Sequence, residues 1–295
     1  MKDLSIVIIS YNTKDLTGEC VESIKKNVSS KISYEVIVVD NDSKDGSVDF
    51  LKNKFPDILV IASKENLGFA KANNVGIKRS IGRYVLCLNS DTVVYSGVLE
   101  YMIDFMDANK DVGASTCKLE IPNGEIDDAS HRGFPTPWNA LTHFSGLSKI
   151  FPHSRLFSGY WQGWKDLSKI HEIDVLAGAF MLIRREAGDQ AGWWDEDYFF
   201  YGEDVDFCYQ LKQKGWKIYY VPTVKILHYK GASGGIKKVS QNITTATKET
   251  KKRVTKSRFN AMRIFYRKNY VNKYPKILTW LVMQGINIRE RIASI

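Results

Sequence analysis

The run LSIVIISYN, residues 4–12, is apolar, rich in β-branched side chains, and ends in polar residues. This pattern is typical of a buried strand. It returns in YEVIVVD (34–40), ILVIAS (58–63) and RYVLCLN (83–89). Because each run is apolar almost throughout, the four predict strands of a parallel sheet that is covered on both faces.

Segments with helical spacing separate these strands. Apolar residues repeat from Leu16 to Val28 after Thr13, a predicted N-cap, and further helices are predicted near 48–55 and 69–80. Strands that alternate with helices indicate an α/β fold with a Rossmann-like, mostly parallel central sheet. Ligands of such sheets bind beyond the carboxyl ends of the strands. Three polar groups stand at those ends: Ser10-Tyr11-Asn12, Asp40-Asn41-Asp42 and Asn89-Ser90-Asp91.

The rhythm changes after about residue 120. Residues 121–172 are rich in proline, glycine and tryptophan, and long irregular segments of this kind are often functional. Strand character returns in residues 173–185 and in the two runs KIYYVP and VKILH (217–228), and a helix is predicted over 203–215. A flexible loop is predicted over residues 231–256, and a basic helical tail is predicted over residues 257–295.

The composition indicates a soluble-type, folded chain. It has 295 residues, 44% of them hydrophobic and 25% charged, which is enough for a large core and argues against disorder. The net charge of +9 is uneven, because residues 248–295 carry 13 Lys and Arg against 2 Asp and Glu. Four cysteines without CxxC spacing predict buried thiols in a reducing cytoplasm. Neither a signal peptide nor a membrane span is expected.

Two common nucleotide-binding motifs are absent from the sequence. No GxGxxG follows the first strand and no GxxxxGK[ST] occurs, so another way of holding a nucleotide is implied. Asp40, at the end of the second strand, could accept a hydrogen bond from a base or a ribose. The alternative is that Asp40 only caps the next helix.

Asp91 and His228 are candidate metal ligands. Asp91 follows a buried strand in LNSDT, where a carboxylate suits a hard divalent cation, although the same residues suit a turn. His228 ends an apolar strand, and a lone histidine is more often structural than a ligand. If both side chains converge, the mixed oxygen and nitrogen set favours Mn²⁺ and allows Mg²⁺.

The stretch FFYGEDVDF, residues 199–207, carries three carboxylates among aromatic rings, and no Lys or Arg lies between positions 186 and 211. Glu203 and Asp204 begin a predicted helix, whose dipole tolerates negative charge. That alone is one explanation. The other is a general base aimed at a substrate hydroxyl, with Asp206 in a structural part.

Seven motifs now stand in order along residues 3–230: VIISYN, VIVVDNDSKDGS, NLGFAKANNVGI, LCLNSDT, LAGAFMLIRREA, WWDEDYFFYGEDVDFCYQLKQKGW and HYKGAS. On these the chain resembles inverting nucleotide-sugar glycosyltransferases of family 2, which have the GT-A fold. It is most similar to bacterial rhamnosyltransferases of surface-polysaccharide biosynthesis. In one respect it departs from the family, because Asn89 stands where the first carboxylate of the DxD motif is usual.

The resemblance implies a role for each matching residue. Asp204 would be the catalytic base and Glu203 would orient the acceptor, while Asp91 and His228 would bind Mn²⁺ or Mg²⁺. The implied nucleotide-binding residues are Ser10, Tyr11, Asp40, Asn66, Gly68, Asn74 and Asn89. Gly178 and Ala179 would let the sugar and acceptor approach the backbone, and Trp164, by its position, would help to shape the acceptor pocket.

The resemblance also implies a reaction and partners. Residues 1–120 would bind the nucleotide and 121–230 the acceptor. The expected donor is dTDP-rhamnose, with UDP-GlcNAc, UDP-galactose or galactofuranose as alternatives, and the acceptor is a glycan or a polyprenyl-diphosphate-linked saccharide. The basic tail predicts that the chain lies peripherally on an anionic membrane, at the inner face of the plasma membrane. The alternative is that the tail packs on the catalytic domain. No nucleic-acid motif is found, so a nucleic-acid partner is not expected. A nucleotidyltransferase and a non-catalytic scaffold are the rival interpretations.

Overall fold

The computed structural model describes residues 2–231 and 246–293. The strands are β1 (Lys2–Ser10), β2 (Tyr34–Asp40), β3 (Leu59–Ala62), β4 (Gly82–Asn89), β5 (Thr92–Val94), β6 (Val112–Glu120), β7 (His171–Glu172), β8 (Phe180–Arg184) and β9 (Lys217–His228). The helices are α1 (Lys14–Asn27), α2 (Ser47–Lys54), α3 (Phe69–Ile77), α4 (Val98–Ala108), α5 (Pro137–Phe144), α6 (Leu147–Ile150), α7 (Arg185–Ala191), α8 (Glu203–Gln213), α9 (Lys248–Asn269) and α10 (Lys276–Ala293).

The strands form one mixed sheet in the order β3-β2-β1-β4-β8-β6-β9-β5, and β7 pairs with β9. β1 is parallel to both β2 and β4, whereas β8 runs antiparallel to β4 and β6. The register aligns Ser10 with Asp40 and Ile9 with Asn89. The mostly parallel α/β fold is therefore confirmed, and the polar strand ends meet at one edge as expected.

Both faces of the sheet are covered, as the continuous apolar strands require. Ile6 and Ile8 of β1 point into a cluster with α1 and α4. Val7 points the other way, into a cluster with α3, α8 and α9. Each such aliphatic side chain, once fully buried, contributes about 1.5–3 kcal/mol.

The second half departs from the predicted strands in two places. KIYYVP and VKILH belong to one strand, β9, because Pro222 lies in a bulge: Cys117 pairs with Val221 and the next residue of β6 pairs with Lys225. Proline lacks a ladder donor, and a bulge accommodates it without ending the strand. Of the predicted strand 173–185, only Phe180–Arg184 is extended in the sheet.

The C-terminal tail packs on the domain through α9. This helix begins at Lys248, so residues 248–256 are helical where a loop was predicted; residues 232–245 of that loop lie outside the described residues. Asn269 donates to Asp206 at 2.8 Å, which gives Asp206 the structural part expected for it. The ring of Tyr209 on α8 meets Phe265 edge to face. Of the helices described, none has both the length and the apolar run that crossing a bilayer requires.

Candidate active site

A cleft of about 460 Å³ opens at the carboxyl edge of the sheet. Its floor comes from the strand ends and its walls from the segments that follow residue 120, with α9 and α10 closing one side. Ten of the residues selected from the sequence line it: Tyr11, Asn66, Gly68, Asn89, Asp91, Gly178, Ala179, Glu203, Asp204 and His228.

The strand pairing brings Asp91 and His228 together. β5 and β9 are antiparallel and align Thr92 with His228, so the residue before Thr92 meets the histidine ring. Oδ1 of Asp91 lies 3.4 Å from Nε2 of His228. Both side chains are buried. Burial opposes the imidazolium, yet Asp91 and Asp127 together raise the pKa of His228 to about 9.

Asp127 is a member of this cluster that the sequence analysis missed. Its Oδ2 lies 2.9 Å from Nδ1 of His228, and its Oδ1 lies 2.8 Å from Nζ of Lys230. Burial would raise the pKa of Asp127, but His228 and Lys230 hold it well below its ordinary value. The only signal was an Asp-Asp pair in an irregular, turn-rich segment, which is also typical of a plain turn.

The donor set of this cluster fits a divalent cation. Metal-ligating histidines usually donate their other ring N–H to a carboxylate, and Asp127 is placed for that role. Among the described residues, Nε2 of His228 has no hydrogen-bond partner and faces the Asp91 carboxylate. The described chain holds no group of three or more His, Cys, Asp or Glu arranged for a metal, so protein ligation would rest on Asp91 and His228.

Glu203 and Asp204 begin α8, and both line the cleft. Oδ1 of Asp204 accepts from its neighbour Val205 N at 2.8 Å, and Oδ2 accepts from Nη2 of Arg132 at 2.6 Å. The sequence offers Asp204 no Lys or Arg between positions 186 and 211, and its positive partner is Arg132, 72 residues upstream. Burial, and then the charge of Asp204, raise the pKa of Glu203 to about 8.

Arg132 is held in place by the backbone around it. Its Nε donates to Ala129 O at 2.9 Å and its Nη2 to Leu176 O at 3.2 Å. The side chain is only 11% exposed, and that of Asp204 only 14%. Sequence reasoning could not find this residue, because nothing local to position 132 indicates a partner 72 residues away.

The loop after β3 is held by Asn41, which stands in one of the predicted polar strand ends but had no role assigned from the sequence. Its Nδ2 donates to Gly68 O at 3.1 Å and its Oδ1 accepts from Leu67 N at 2.8 Å. Gly68 has φ +80°, and its Cα faces the carbonyl of Phe199. The loop that carries Gly68 and the loop before α8 are therefore in direct contact.

Four predicted site residues are not among those that line the cleft. Ser10 is fully buried and lies 3.1 Å from the Thr17 hydroxyl. The amide of Asn74 is used internally, since its Nδ2 donates to Trp194 O at 2.8 Å. Trp164 is half-buried elsewhere, and Tyr160 from the same segment lines the cleft instead. Asp40 is buried at the same sheet edge, with an Oδ2 that has no partner among the described residues, so its role stays a prediction.

Arginines of α9 stand at the mouth of the cleft. The guanidinium of Arg253 lies 3.9 Å above the ring of Phe199, and Arg258 also lines the opening. Both side chains are exposed, and neither forms an ion pair with a residue that the structure describes. The mouth is therefore positive, although the cleft itself carries the carboxylates.

Comparison with known proteins identifies the family. Residues 5–192 match the family model described as glycosyl transferase family 2. The chain is 26% identical over 243 residues to the N-acetylglucosaminyl-diphospho-decaprenol L-rhamnosyltransferase of Mycobacterium tuberculosis, covering 79% of this chain and 78% of the relative. It is 26% identical over 235 residues to rhamnosyltransferase WbbL of Escherichia coli, covering 76% and 82%.

A solved structure has a similar fold. The crystal structure of GalNAc-T7 with UDP, GalNAc and Mn²⁺ superposes with a TM-score of 0.58 at 16% identity. The match covers 77% of this chain but only 44% of that one. At this identity the likeness shows the fold alone.

Proposed function

This chain belongs to glycosyl transferase family 2 and is a glycosyltransferase, and from that premise we propose that it moves a sugar, with inversion, from a nucleotide diphosphate to a saccharide hydroxyl. One observation carries the proposal: the Asp91–His228 pair and the Asp204 carboxylate line the same cleft. That arrangement suits a leaving group on one side and an acceptor on the other. A non-catalytic scaffold would not require this convergence.

Asp91 and His228 would hold the divalent cation, Mn²⁺ or Mg²⁺. When bound, such an ion stabilises the negative charge that develops on a departing diphosphate. Asp127 would keep the His228 ring oriented, since it already engages Nδ1. Lys230, which also lines the cleft, adds a positive charge near the same place.

Asp204 would take the proton from the acceptor hydroxyl. Arg132 holds the carboxylate in one orientation through Oδ2, and the hydroxyl would approach on the face of the sugar opposite to the diphosphate. Glu203 keeps its proton at neutral pH, because its pKa is raised to about 8, so it would donate a hydrogen bond to the acceptor or the sugar. A well-placed general base contributes about 10²–10⁴-fold in rate.

The first candidate for the donor is dTDP-rhamnose. The two relatives named above are rhamnosyltransferases, and both align over three quarters or more of this chain. Tyr11, Asn66, Gly68 and Asn89 line the cleft and would hold the nucleotide, together with Asp40, whose Oδ2 has no partner among the described residues. Gly178 and Ala179 line the cleft and would leave room for the sugar near the backbone.

The proposed acceptor is a saccharide linked to a polyprenyl diphosphate at the inner face of the plasma membrane. The mycobacterial relative is named for such an acceptor. Arg253 and Arg258 at the mouth suit a diphosphate, since a guanidinium binds phosphate oxygens through paired N–H groups. Residues 121–230 would supply the remaining acceptor contacts.

The test is a donor panel followed by transfer. The purified chain is mixed with Mn²⁺ or Mg²⁺ and with dTDP-rhamnose, UDP-GlcNAc, UDP-galactose, UDP-galactofuranose or GDP-mannose, and the melting temperature is read. We expect a metal-dependent rise with one donor, and transfer of that sugar to polyprenyl-diphosphate-GlcNAc detected by mass spectrometry. No rise with any donor, with either metal, would contradict the proposal.

A further inference from the structure

The helix α10 has an outward face that is apolar although it is exposed. Ile277, Leu281, Ile288 and Ile292 fall on one side of the helix, because they stand 4, 11 and 15 positions apart from the first. Trp280 lies beside them and is 60% exposed. No residue of α10 is buried in the structure described, so this face has no protein partner there.

A second exposed apolar surface lies beside the cleft. On α5, Trp138 and Leu141 point outward, while His143 and Phe144 line the cleft. The loop after α6 adds Leu156, whose carbonyl accepts from the Trp138 indole at 2.8 Å. These side chains lie in the Trp-rich segment that the sequence analysis singled out.

The two surfaces meet at the mouth. The guanidinium of Arg289 on α10 lies 4.0 Å above the ring of Phe144 on α5. Val282 and Ile286 of α10 line the cleft on their inner side. One helix therefore presents apolar residues both to the cleft and to the outside, on either side of the arginine.

Arginines lie beside these apolar residues. Arg253 and Arg258 line the cleft, Arg289 lies over the Phe144 ring, and none of the three forms an ion pair with a described residue. Exposed apolar patches of this kind mark interaction sites. A second copy that docked through the same face would bring a second set of these arginines into the interface, which like-charge repulsion opposes. Anionic lipid headgroups complement them instead, and apolar side chains ringed by Arg and Lys are typical of helices that lie in a membrane interface.

We infer that the outward face of α10, together with Trp138, Leu141 and Leu156, forms a docking face that inserts into the surface of an anionic bilayer and sets the mouth of the cleft against it. Only the role of this face depends on the proposed function: it would bring a lipid-linked acceptor to Asp204. Docked in this way, the chain would admit the saccharide from the membrane side, with the arginines at the level of the headgroups.

The test is vesicle binding by the whole chain, without donor or metal. Sedimentation is measured with vesicles of phosphatidylglycerol and phosphatidylcholine, and with phosphatidylcholine alone, in 0.1 M salt. Leu281→Ser is compared with Ile81→Ser, because the two side chains are 53% and 54% exposed but Ile81 precedes β4 at the opposite edge of the sheet. We expect strong preference for anionic vesicles, about tenfold weaker binding for Leu281→Ser, and no change for Ile81→Ser.

A second measurement does not depend on a polar substitution. Lipids brominated in the acyl chains should quench part of the tryptophan fluorescence, and Trp280→Phe should remove part of that quenching while binding is kept. Equal binding to both vesicle types, no binding, or equal effects of the two serine variants would overturn the inference. So would a dimer in sedimentation velocity that Leu281→Ser dissociates. If vesicle binding fails but the donor-dependent melting shift is observed, the docking face is refuted and the glycosyl-transfer proposal is kept. If the melting shift is absent but vesicle binding behaves as expected, the docking face is kept and the glycosyl-transfer proposal is refuted.

Discussion

Nη2 of Arg132 lies 2.6 Å from Oδ2 of Asp204 and joins two residues that are 72 positions apart in the chain. The first belongs to an irregular segment and the second to the start of α8. Their contact explains how a carboxylate can stand among aromatic rings without a local cation. It also fixes the orientation of the group that we propose as the base.

We expect Asp204→Asn to keep the fold and to lose turnover. The amide oxygen can still accept from Arg132, whereas an amide cannot take a proton from a hydroxyl. Transfer should fall by about 10²–10⁴-fold while the donor-dependent melting shift remains. Rate measurements at saturating donor test this, and near wild-type turnover would refute the assignment of Asp204 as base.

Arg132→Ala should weaken both stability and transfer. The substitution leaves the Asp204 carboxylate without its partner and frees two backbone carbonyls, those of Ala129 and Leu176. Removing one partner of a buried ion pair costs about 3–5 kcal/mol, and access of water from the cleft should place this case at or below the lower figure. Chemical denaturation measures the change in the free energy of unfolding.

The matched control for this loss is Lys225→Ala. Lys225 bonds both oxygens of Glu120 at 3.0 Å, but its side chain is half exposed, and such surface pairs contribute about 0–1 kcal/mol. Arg132→Lys should recover part of the stability but little of the transfer rate. A single ammonium group cannot reach all three oxygens that Arg132 bonds, which are Oδ2 of Asp204 and the carbonyls of Ala129 and Leu176. Equal losses from the two alanine variants would mean that the Arg132 pair is only a surface contact.

Much of this arrangement followed from local patterns. The apolar runs predicted the first four strands, and the polar ends of three of them do meet at one edge, because parallel strands share a direction. Ten predicted site residues line the cleft. The residues whose roles were missed, Arg132, Asp127 and Asn41, act through partners 72, 101 and 26 positions away. Contacts of that span depend on how irregular segments cross the sheet, and neither periodicity nor motif spacing carries that information.

Asn74 is a different case. It stands in a motif with Asn66 and Gly68, and the family resemblance implies a nucleotide role for all three, which for Asn74 stays a prediction. In the structure α3 begins between them, and Asn74 points to the loop around Trp194. Side chains that are close in sequence can point to different faces of a helix. A short motif does not reveal which of these faces a ligand would contact.

His228→Gln should abolish the metal-dependent part of the donor melting shift. It removes Nε2, which faces Asp91, and leaves Asp127 without its ring partner. The change is read as the shift with Mn²⁺ minus the shift in chelator, and we expect it to fall to about zero. His153→Gln is the control, since His153 is exposed and bonds only the Gly163 carbonyl among the described residues. An unchanged metal increment in His228→Gln would exclude the proposed ligand pair.

Glu203→Gln should stabilise the protein at high pH but not at low pH. The pKa of Glu203 is raised from 4.5 to about 8 on folding, so between these values the folded state holds a proton that the unfolded state has lost. Stability contributed by the protonated group is therefore lost as the pH rises through this window. Glutamine has no charge to bury, so between pH 5 and pH 8.5 the variant should gain on the order of 4 kcal/mol over the wild type.

The measurement is the melting temperature of both proteins from pH 5 to pH 9. Their difference should widen with pH, by about 2–4 °C for each kcal/mol. Glu65→Gln serves as control, because Glu65 is exposed and should give a flat difference. A flat profile for Glu203→Gln would mean that the buried carboxyl is ionised throughout.

Gly68→Ala should loosen the contact between the two halves of the cleft, and Gly46→Ala gives the cost of a Cβ at a left-handed glycine without a close contact. Gly46 is left-handed helical, with φ +79° and ψ 15°, where an added Cβ costs about 1–2 kcal/mol. Gly68 has φ +80° and ψ −177°, a conformation that is essentially restricted to glycine, so its backbone strain alone should cost more. At Gly68 the added Cβ would also lie 2.4 Å from the carbonyl oxygen of Phe199, whereas at Gly46 no described atom lies within 4 Å.

The same carbonyl accepts from Phe69 N at 2.9 Å, so the chain cannot move away without breaking that bond. Gly68→Ala should therefore cost about 1–3 kcal/mol more than Gly46→Ala in the free energy of unfolding. It should also weaken the donor-dependent melting shift, because Gly68 and Phe199 both line the cleft. Equal costs for the two variants would show that the Phe199 loop yields freely, and an unweakened donor shift would place the nucleotide away from Gly68.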